Sequence, residues 1–293
     1  MSLVSGEGVA KACETLGHRV TRIDMGRDVA AKLAQAAPDI VFNALHGRFG
    51  EDGAIQGVLD WIGIPYTHSG IRASAVAMDK EAARAVFIAA GLPVAKGGLV
   101  TIAELAASDP LPCPYVIKPV NEGSSVGVTI IRDGSNGRAA IADGWNFGPH
   151  ALVEEFIPGR ELTVSVVGDR ALTVTDITPN PEMSHGFYDY EAKYAAGGSH
   201  HVLPAEIHPA AFAQALEIAL AAHRALGCRG ASRTDFRYDD TDCGSEPGRL
   251  VILEVNTQPG LTPTSLLPEQ AAYCGMDFPA LCAWMVEHAA CRA

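Results

Sequence analysis

Two short stretches near the C-terminal end carry side chains whose types and spacing suit a metal ion. Side chains alternate across a strand, so residues i and i+2 lie on the same face. In "ASRTDF" this places Arg233 beside Asp235, and in "RLVILEVN" it places Glu254 beside Asn256. If the two faces align, oxygen-bearing side chains suited to Mg²⁺ or Mn²⁺, rather than zinc, converge with one arginine. A solvent-facing polar edge is the alternative, and the coil "TQPGLTPTS" after "EVN" favours the metal interpretation.

A glycine-rich turn and three lysines indicate a second kind of chemistry. In "YVIKPVNEGSSVGV" the turn follows a strand that carries Lys118, and backbone N–H groups of such turns can hold phosphate. The turn matches neither the P-loop nor the dinucleotide fingerprint, so a tight hairpin is the alternative. Lys80 in "MDKE" and Lys193 in "EAKY" also lie at turns. A triphosphate needs several cations, and these lysines together with the acidic hairpin predict a nucleoside triphosphate site.

The segment "LVEEFIPGRELTV" places Glu154, Glu155 and Glu161 at a strand end beside a linker. Backbone at a strand end can bind the edge of adenine, and a carboxylate can accept hydrogen bonds from ribose hydroxyls. Taken alone, the segment would be interpreted as surface acids at a domain junction.

The elements that must position these residues fall into three regions, of α/β and α+β class. Residues 1–79 alternate helix and strand, with strands at "HRVTRIDM" and "PDIVFNAL", and predict an open parallel sheet. Residues 80–160 predict a small central α+β domain, and residues 161–293 a larger C-terminal α+β domain. The first helix leads straight into a strand, as in the second half of a βαβ unit. We therefore expect that the full protein has a strand before Met1.

Composition limits the class of protein and its partners. The 293 residues are 48% hydrophobic with a formal net charge of −12, which disfavours nucleic acid and anionic membrane surfaces as partners. The seven cysteines form no CxxC pair, which is typical of reduced thiols. No apolar run is long enough for a membrane span and no signal pattern is present, so we expect a soluble, cytoplasmic enzyme.

Six motifs in order along nearly the whole chain resemble the D-alanine–D-alanine ligase family of the ATP-grasp superfamily. They are "NALHGRFGEDGAIQGVLDWIGIPYTHSG", "MDKEAAR", "IKPVNEGSSVGV", "FYDYEAKY", "SRTDF" and "LEVNTQPGLTPTSLLP". The resemblance implies three domains, with ATP gripped between the central and C-terminal ones. It also implies a D-alanyl phosphate intermediate, a dipeptide used in peptidoglycan synthesis, and a homodimer.

The resemblance implies which residues bind ATP and its metal ions. The expected ATP contacts are Lys80, Lys118, Glu154, the backbone of Glu155 to Ile157, Glu161 at the ribose, and Lys193 at the γ-phosphate. The expected ligands of two Mg²⁺ or Mn²⁺ ions are Asp235, Glu254 and Asn256.

The same resemblance implies a set of substrate contacts. Arg233 and the N–H of Gly260 would stabilise the developing oxyanion, and such donors are typically worth about 10²–10³ in rate each. The other expected substrate residues are His46 at the first D-alanine, Ser265 and Leu266 at the carboxylate of the second, and Ser124 with Tyr194, which connect the glycine-rich turn to a lid.

Two departures from the family pattern keep alternatives open. Glu155 stands where relatives often have lysine, and the glutamate that binds the ammonium of the first D-alanine has no counterpart. The alternatives are a ligase that joins a different amino or hydroxy acid, and a catalytically impaired nucleotide-binding relative. Tyr194, at a lid position that differs in depsipeptide-forming ligases, favours D-alanine as second substrate.

Overall fold

The computed structural model describes residues 2–123, 126–133, 137–180 and 198–291. The helices are α1 (Ser2–Thr15), α2 (Val29–Ala36), α3 (Ala54–Ile62), α4 (Ile71–Met78), α5 (Lys80–Ala89), α6 (Ile102–Ala107), α7 (Gly137–Asp143), α8 (Pro209–Leu226), α9 (Leu266–Tyr273) and α10 (Phe278–Glu287). The strands are β1 (Gly97–Thr101), β2 (Tyr115–Lys118), β3 (Thr129–Ile131), β4 (His150–Glu155), β5 (Arg160–Val167), β6 (Arg170–Pro179), β7 (Ser199–Val202), β8 (Ala231–Asp239) and β9 (Arg249–Asn256). None of the helices described is both long and apolar enough to cross a membrane.

The central sheet has the strand order β1-β4-β2-β3 and is antiparallel throughout. β2 and β3 pair on either side of the glycine-rich segment, which confirms the predicted antiparallel turn. Helix α6 begins with a capping box, in which Thr101 and Glu104 satisfy each other's backbone N–H groups. The helix buries Leu105 against Tyr115 and Ile117 of the sheet. This core carries Lys118 at the end of β2.

The C-terminal sheet has the order β7-β6-β5-β8-β9, again antiparallel. Its long helix α8 begins with Pro209 in its first turn and ends before Gly227, whose φ of 73° is the left-handed conformation that closes many helices. The helix buries Ala215, Ala219 and Ala222 against the sheet. These small side chains let α8 lie close to the strands.

Helix α5 connects the regions. Phe87 and Ala83 of this helix belong to the same buried cluster as Phe236 and Ile252 of the C-terminal sheet. Helix α5 therefore packs on the C-terminal sheet, and the division of the chain at residues 79 and 160 stays a prediction.

The N-terminal region pairs its backbone far less than predicted. The segments 18–25 and 38–45 form no ladder, and parallel pairing among the described residues of the N-terminal region is limited to one bridge between Val41 and Tyr66. The parallel direction is as predicted, but the open sheet is not formed. A ladder requires a neighbouring strand, and among the described residues the backbone of the 38–45 segment pairs with another segment only around Tyr66. Side chains satisfy the nearby backbone instead, as when Asn43 N–H donates to Thr67 Oγ1 at 3.0 Å.

Helix α1 forms as predicted and is fixed by the other end of the chain. Val9 and Cys13 of α1 share a buried cluster with Leu281, Cys282 and Met285 of α10. Ala290 pairs with Tyr66 in an antiparallel bridge. The N-terminal region is thus attached to the C-terminal helices as well as to its own loops.

Candidate active site

The β8–β9 hairpin brings the predicted metal ligands together. Arg233 lies opposite Asn256 and Asp235 opposite Glu254, the alignment that the alternation of side chains predicts. Arg233 donates to both oxygens of Asp235, at 2.8 and 2.7 Å, and Asn256 Nδ2 donates to Asp235 Oδ2 at 3.1 Å. Thr163 of β5 donates to Asp235 Oδ1 at 2.6 Å. The carboxylate is therefore fixed from three sides.

The donor set of this hairpin suits a hard cation. It consists of two carboxylates and one amide, whose oxygens are the ligands that Mg²⁺ and Mn²⁺ prefer. No group of three His, Cys, Asp or Glu that could hold a metal occurs in the described part of the chain. The side chain of Glu254 is 22% exposed, so a metal ion already bound to phosphate groups can reach it.

Lys80 joins the glycine-rich segment to this hairpin. Its Nζ lies 3.8 Å from Glu254 Oε2 and donates to the carbonyl of Glu122, and its backbone N–H donates to Val120 O at 3.0 Å. In that segment Gly127 has a φ of 71°, and a Cβ there would lie 2.8 Å from Pro119 and Phe147. The turn thus requires glycine, and it lies on the same side as the hairpin acids.

Lys118 and Glu154 meet in a second, buried cluster. Lys118 Nζ donates to one oxygen of Glu154 at 2.5 Å, and Arg84 Nη1 donates to the other at 2.5 Å. Arg84 also donates to the carbonyls of Ala95 and Gly97. Sequence reasoning missed Arg84, although it lies one helical turn after Lys80 in α5 and so on the same face. The cluster fixes the side chain of Lys118 at the end of β2.

The remaining acids of the expected ATP site lie where β4 ends and β5 begins. Glu155 accepts from Lys96 N–H at 3.0 Å and from Arg249 Nη2 at 2.6 Å. Ile157 is buried, and its carbonyl accepts from Arg237 Nε at 3.1 Å. Arg237 Nη1 also lies 3.7 Å from Glu161 Oε2, so one arginine connects both positions.

His46 lies on a loop that reaches the hairpin from the N-terminal region. Its Nε2 is 3.2 Å from Ser5 Oγ, and burial lowers the pKa of the ring to about 4. Glu51 on the same loop accepts from Gly47 N–H at 2.8 Å. Burial, with a smaller contribution from Glu254, raises the pKa of Glu51 to about 7. Sequence reasoning missed Glu51, although "HGRFGEDG" places it close to His46.

Ser265 and Leu266 form the start of helix α9. Ser265 Oγ accepts from Thr262 N–H at 3.0 Å, while its extended backbone precedes the helix without a side-chain cap. Leu266 is buried against Ile177. The first N–H groups of a helix have no partner within the helix and favour an anion, so this position suits a carboxylate. Gly260 lies on the coil between the hairpin and α9. Ser124, Lys193 and Tyr194 lie outside the described residues.

The family to which this chain belongs follows from two family models. The model described as "D-ala D-ala ligase C-terminus" matches residues 89–287, and the one described as "D-ala D-ala ligase N-terminus" matches residues 23–69. The chain belongs to the D-alanine–D-alanine ligase family. A ligase of this name from Granulibacter bethesdensis is 68% identical over 295 residues, with 100% of this chain and 94% of the relative covered. The ligase of that name from Acidiphilium cryptum is 65% identical over 294 residues, with 100% and 94% covered.

Solved structures of the same family share the fold. A D-alanine–D-alanine ligase from Bacillus anthracis has a TM-score of 0.79 and 26% identity, and covers 98% of this chain and 91% of its own. A structure of the Bacillus anthracis ligase complexed with ATP gives a TM-score of 0.80 at 23% identity, with the same coverage. The predicted ATP-grasp fold of this ligase family is therefore confirmed.

Proposed function

We propose that this ligase joins two molecules of D-alanine to D-alanyl-D-alanine, with conversion of ATP to ADP and phosphate. The observation that carries the proposal is the β8–β9 hairpin, where Arg233, Asp235, Glu254 and Asn256 share one face. The chain that contains this hairpin is 68% identical to a named D-alanine–D-alanine ligase. The function explains why a carboxylate-rich face and a lysine-lined turn occur side by side.

The first step must make a carboxylate reactive. An oxygen of the first D-alanine carboxylate attacks the γ-phosphorus of ATP, the bond to the ADP oxygen breaks, and a D-alanyl phosphate results. Phosphoryl transfer of this kind depends on positioning and on neutralising charge. Lys80, which donates to the carbonyl of Glu122, and Lys118, which donates to Glu154, are proposed to direct their ammonium groups at the phosphates of ATP. Mg²⁺ or Mn²⁺, when held by Asp235, Glu254 and Asn256, would neutralise phosphate charge.

The second step forms the peptide bond. The amine of the second D-alanine attacks the acyl carbon, phosphate leaves, and the nitrogen loses a proton. Arg233 and the N–H of Gly260 are proposed to stabilise the negative oxygen that develops. Ser265 and the start of α9 are proposed to bind the carboxylate of the incoming D-alanine, which fixes its amine toward the acyl carbon.

Water competes with the amine for the acyl phosphate, so the site must exclude it. His46 is mainly buried and neutral at physiological pH, which suits a wall of the first D-alanine site. The proposed roles of Ser124, Lys193 and Tyr194, the homodimer and the cytoplasmic location follow from the family resemblance and stay predictions.

The test is phosphate release from ATP that depends on D-alanine, with the product identified by mass. We expect one dipeptide for each phosphate in the presence of Mg²⁺, and no phosphate release with L-alanine. Parallel reactions with D-lactate as second substrate distinguish a depsipeptide ligase. ATP binding without any dipeptide would contradict the proposal.

A further inference from the structure

A buried pair of amides connects the two halves of the active site. Asn43 Nδ2 donates to Gln258 Oε1 at 2.8 Å, although the two residues are 215 positions apart in the chain. The two residues are 3% and 2% exposed. Gln258 Nε2 also donates to the carbonyl of Leu45. Both ends of the Gln258 amide are thus used on a single loop of the N-terminal region.

The loop held by this pair carries His46. Asn43 Nδ2 also donates to Gly50 O at 3.0 Å, and its Oδ1 accepts from Leu45 N–H at 3.2 Å. Asn43 and Gln258 therefore bind the loop on both sides of His46. No ladder of backbone hydrogen bonds fixes this loop in the described residues, so side chains hold it in place. Besides Asn43 and Gln258, these are Gln56, Ser2 and Ser5.

Gln258 also occupies a decisive place in its own segment. It lies between Asn256, the last residue of β9, and Gly260, on the coil that leads to α9. The contacts of Gln258 therefore connect the N-terminal loop to the segment between the expected metal ligand and the expected oxyanion donor. The Asn43–Gln258 contact therefore joins the loop that carries His46 to the segment that follows the β8–β9 hairpin.

We propose that Gln258 is a positioning residue that acts through Asn43 to hold the His46 loop against the catalytic hairpin. The inference rests on the proposed function, because the loop and hairpin form one site only if a substrate binds between them. A catalytic geometry of this kind is sensitive, since a misplacement of 1 Å can cost about 10²-fold in rate. A loosened loop also admits water, which diverts the acyl phosphate from the amine.

The variant Gln258→Met tests this role, because methionine keeps the length of the side chain and removes both hydrogen bonds. We expect kcat/KM for D-alanine to fall by about 10²-fold, while the KM for ATP changes by less than about threefold. We also expect more than one phosphate released per dipeptide formed. The ratio of phosphate to dipeptide reports on the geometry of the active enzyme and is not changed by a smaller folded fraction.

Asn43→Leu and the double variant complete the cycle. If Gln258 acts through Asn43, the effects of the two substitutions on kcat/KM are not additive. The double variant then has a kcat/KM close to that of the less active single variant. Additive effects, or an unchanged phosphate-to-dipeptide ratio in Gln258→Met, would overturn the inference.

Tyr115→Phe is the matched control, because it removes the hydrogen bond from Tyr115 Oη to Asp109 at 2.8 Å in the central core. We expect this variant to lower the Tm and to leave the phosphate-to-dipeptide ratio unchanged. A ratio that rises equally in the control would assign the effect to general destabilisation and so contradict the positioning role. Failure of the unsubstituted protein to form dipeptide would instead contradict the proposed function.

Discussion

The N-terminal region and the C-terminal sheet bury polar side chains in opposite ways. In the sheet, ladders pair most of the backbone of β5, β6, β8 and β9, apart from a bulge at Ser165, whose N–H donates to Gln270 Oε1 at 2.7 Å. Buried polar side chains line these strands: Thr163, Ser165, Thr173, Thr175, Asp176, Ser232, Thr234 and Asp235. In the N-terminal region, buried polar side chains hold loops and turns: Ser5, Asn43, Gln56, Thr67, Ser69 and Ser74.

This difference distinguishes positions whose side chains are free to act in catalysis from positions whose side chains stabilise the fold. A side chain on a complete ladder can change without removing a backbone hydrogen bond. A side chain that itself satisfies the backbone cannot, because its loss leaves a buried polar group without a partner, at a cost of about 1–3 kcal/mol. Gln56, whose Nε2 donates to Gly50 O at 2.9 Å, is of the second kind. Substitutions in the two regions should therefore affect activity and stability to different degrees.

The largest expected effect is on activity alone, for Glu254→Gln in β9. Glutamine keeps the shape of the side chain but removes the charge that the proposed metal site needs, so we expect kcat to fall on the order of 10³-fold. Because the β8–β9 ladder is unchanged, the midpoint of urea unfolding should remain the same. Steady-state dipeptide formation and urea titration measure the two quantities.

The exposed Glu217 on α8 offers the control Glu217→Gln, which should change neither quantity. Near-normal activity of Glu254→Gln in Mg²⁺ would refute the metal role of this hairpin. A large loss of stability would remove the distinction between the two regions, since it would show that side chains on the ladder also carry structure.

The hairpin was predictable from the sequence, whereas the contacts that complete the site were not. Alternation over "SRTDF" and "LEVN" is local, and it gave the correct facing of Asp235 and Glu254. The apolar run "PDIVFNAL" was equally clear, but an apolar run does not reveal whether a neighbouring strand is present. That prediction was wrong in extent, because the pairing stops at the bridge between Val41 and Tyr66.

Arg84 and Gln258 show a second limit. Each acts through partners that are distant in the chain, Arg84 through Glu154 and Gln258 through Asn43. No periodicity or spacing encodes such a pairing, since either residue alone resembles an ordinary surface side chain. Glu51 could have been found, because a glutamate so close to His46 in a loop dense in glycine and acids suggests a site.

The next largest expected effect is on stability, for Glu154→Gln in the central sheet. The change leaves Arg84 and Lys118 buried without their carboxylate, and breaking a buried pair in this way typically costs about 3–5 kcal/mol. The free energy of unfolding from urea titration measures it.

Removing the charges together provides the control. The triple variant Arg84→Met, Lys118→Met and Glu154→Leu replaces the cluster with apolar side chains, and we expect it to be more stable than Glu154→Gln. If Glu154→Gln were as stable as the unsubstituted protein, this cluster would not stabilise the fold. It would then resemble the side chains of the C-terminal sheet, where the ladders hold the backbone.

A smaller effect depends on pH and sharpens the comparison in the N-terminal region. His68 is fully buried, and burial, with a smaller contribution from His46, lowers its pKa to about 3. Its ordinary value is near 6.5, so below that pH the unfolded chain binds a proton that the folded protein excludes. This contribution to stability is therefore fully present above pH 6.5 and is lost as the pH falls toward 3. One such proton changes the free energy of unfolding by about 1.4 kcal/mol per pH unit.

His68→Asn should flatten the dependence by that one proton between pH 6 and 4, measured by urea titration at each pH. Asparagine tolerates the left-handed backbone at this position, where φ is 68°. The exposed His150 gives the control His150→Asn, which should leave the slope as it is. An unchanged slope in His68→Asn would mean that the N-terminal region admits the proton without unfolding.

The smallest expected effect concerns the exposed pair that joins the two sheets. Arg249 of β9 lies 2.6 Å from Glu155 of β4, but the side chain of Arg249 is 47% exposed. Burial alone would raise the pKa of Glu155, yet hydrogen bonds from Arg249 and Lys96 N–H hold it below its ordinary value. A carboxyl with a lowered pKa contributes stability above its ordinary pKa of 4.5, and this contribution is lost as the pH falls through the folded value.

We expect Arg249→Ala to cost less than about 1 kcal/mol at pH 7, since solvent screens exposed pairs, and the cost should shrink in 0.5 M NaCl and at pH 3. Urea titration under the three conditions measures this. A cost that persists in salt and acid would come from packing of the arginine stem rather than from charge. In that case a single side chain would stabilise the contact between the two sheets. The contact would then resemble the N-terminal loops rather than the β8–β9 ladder.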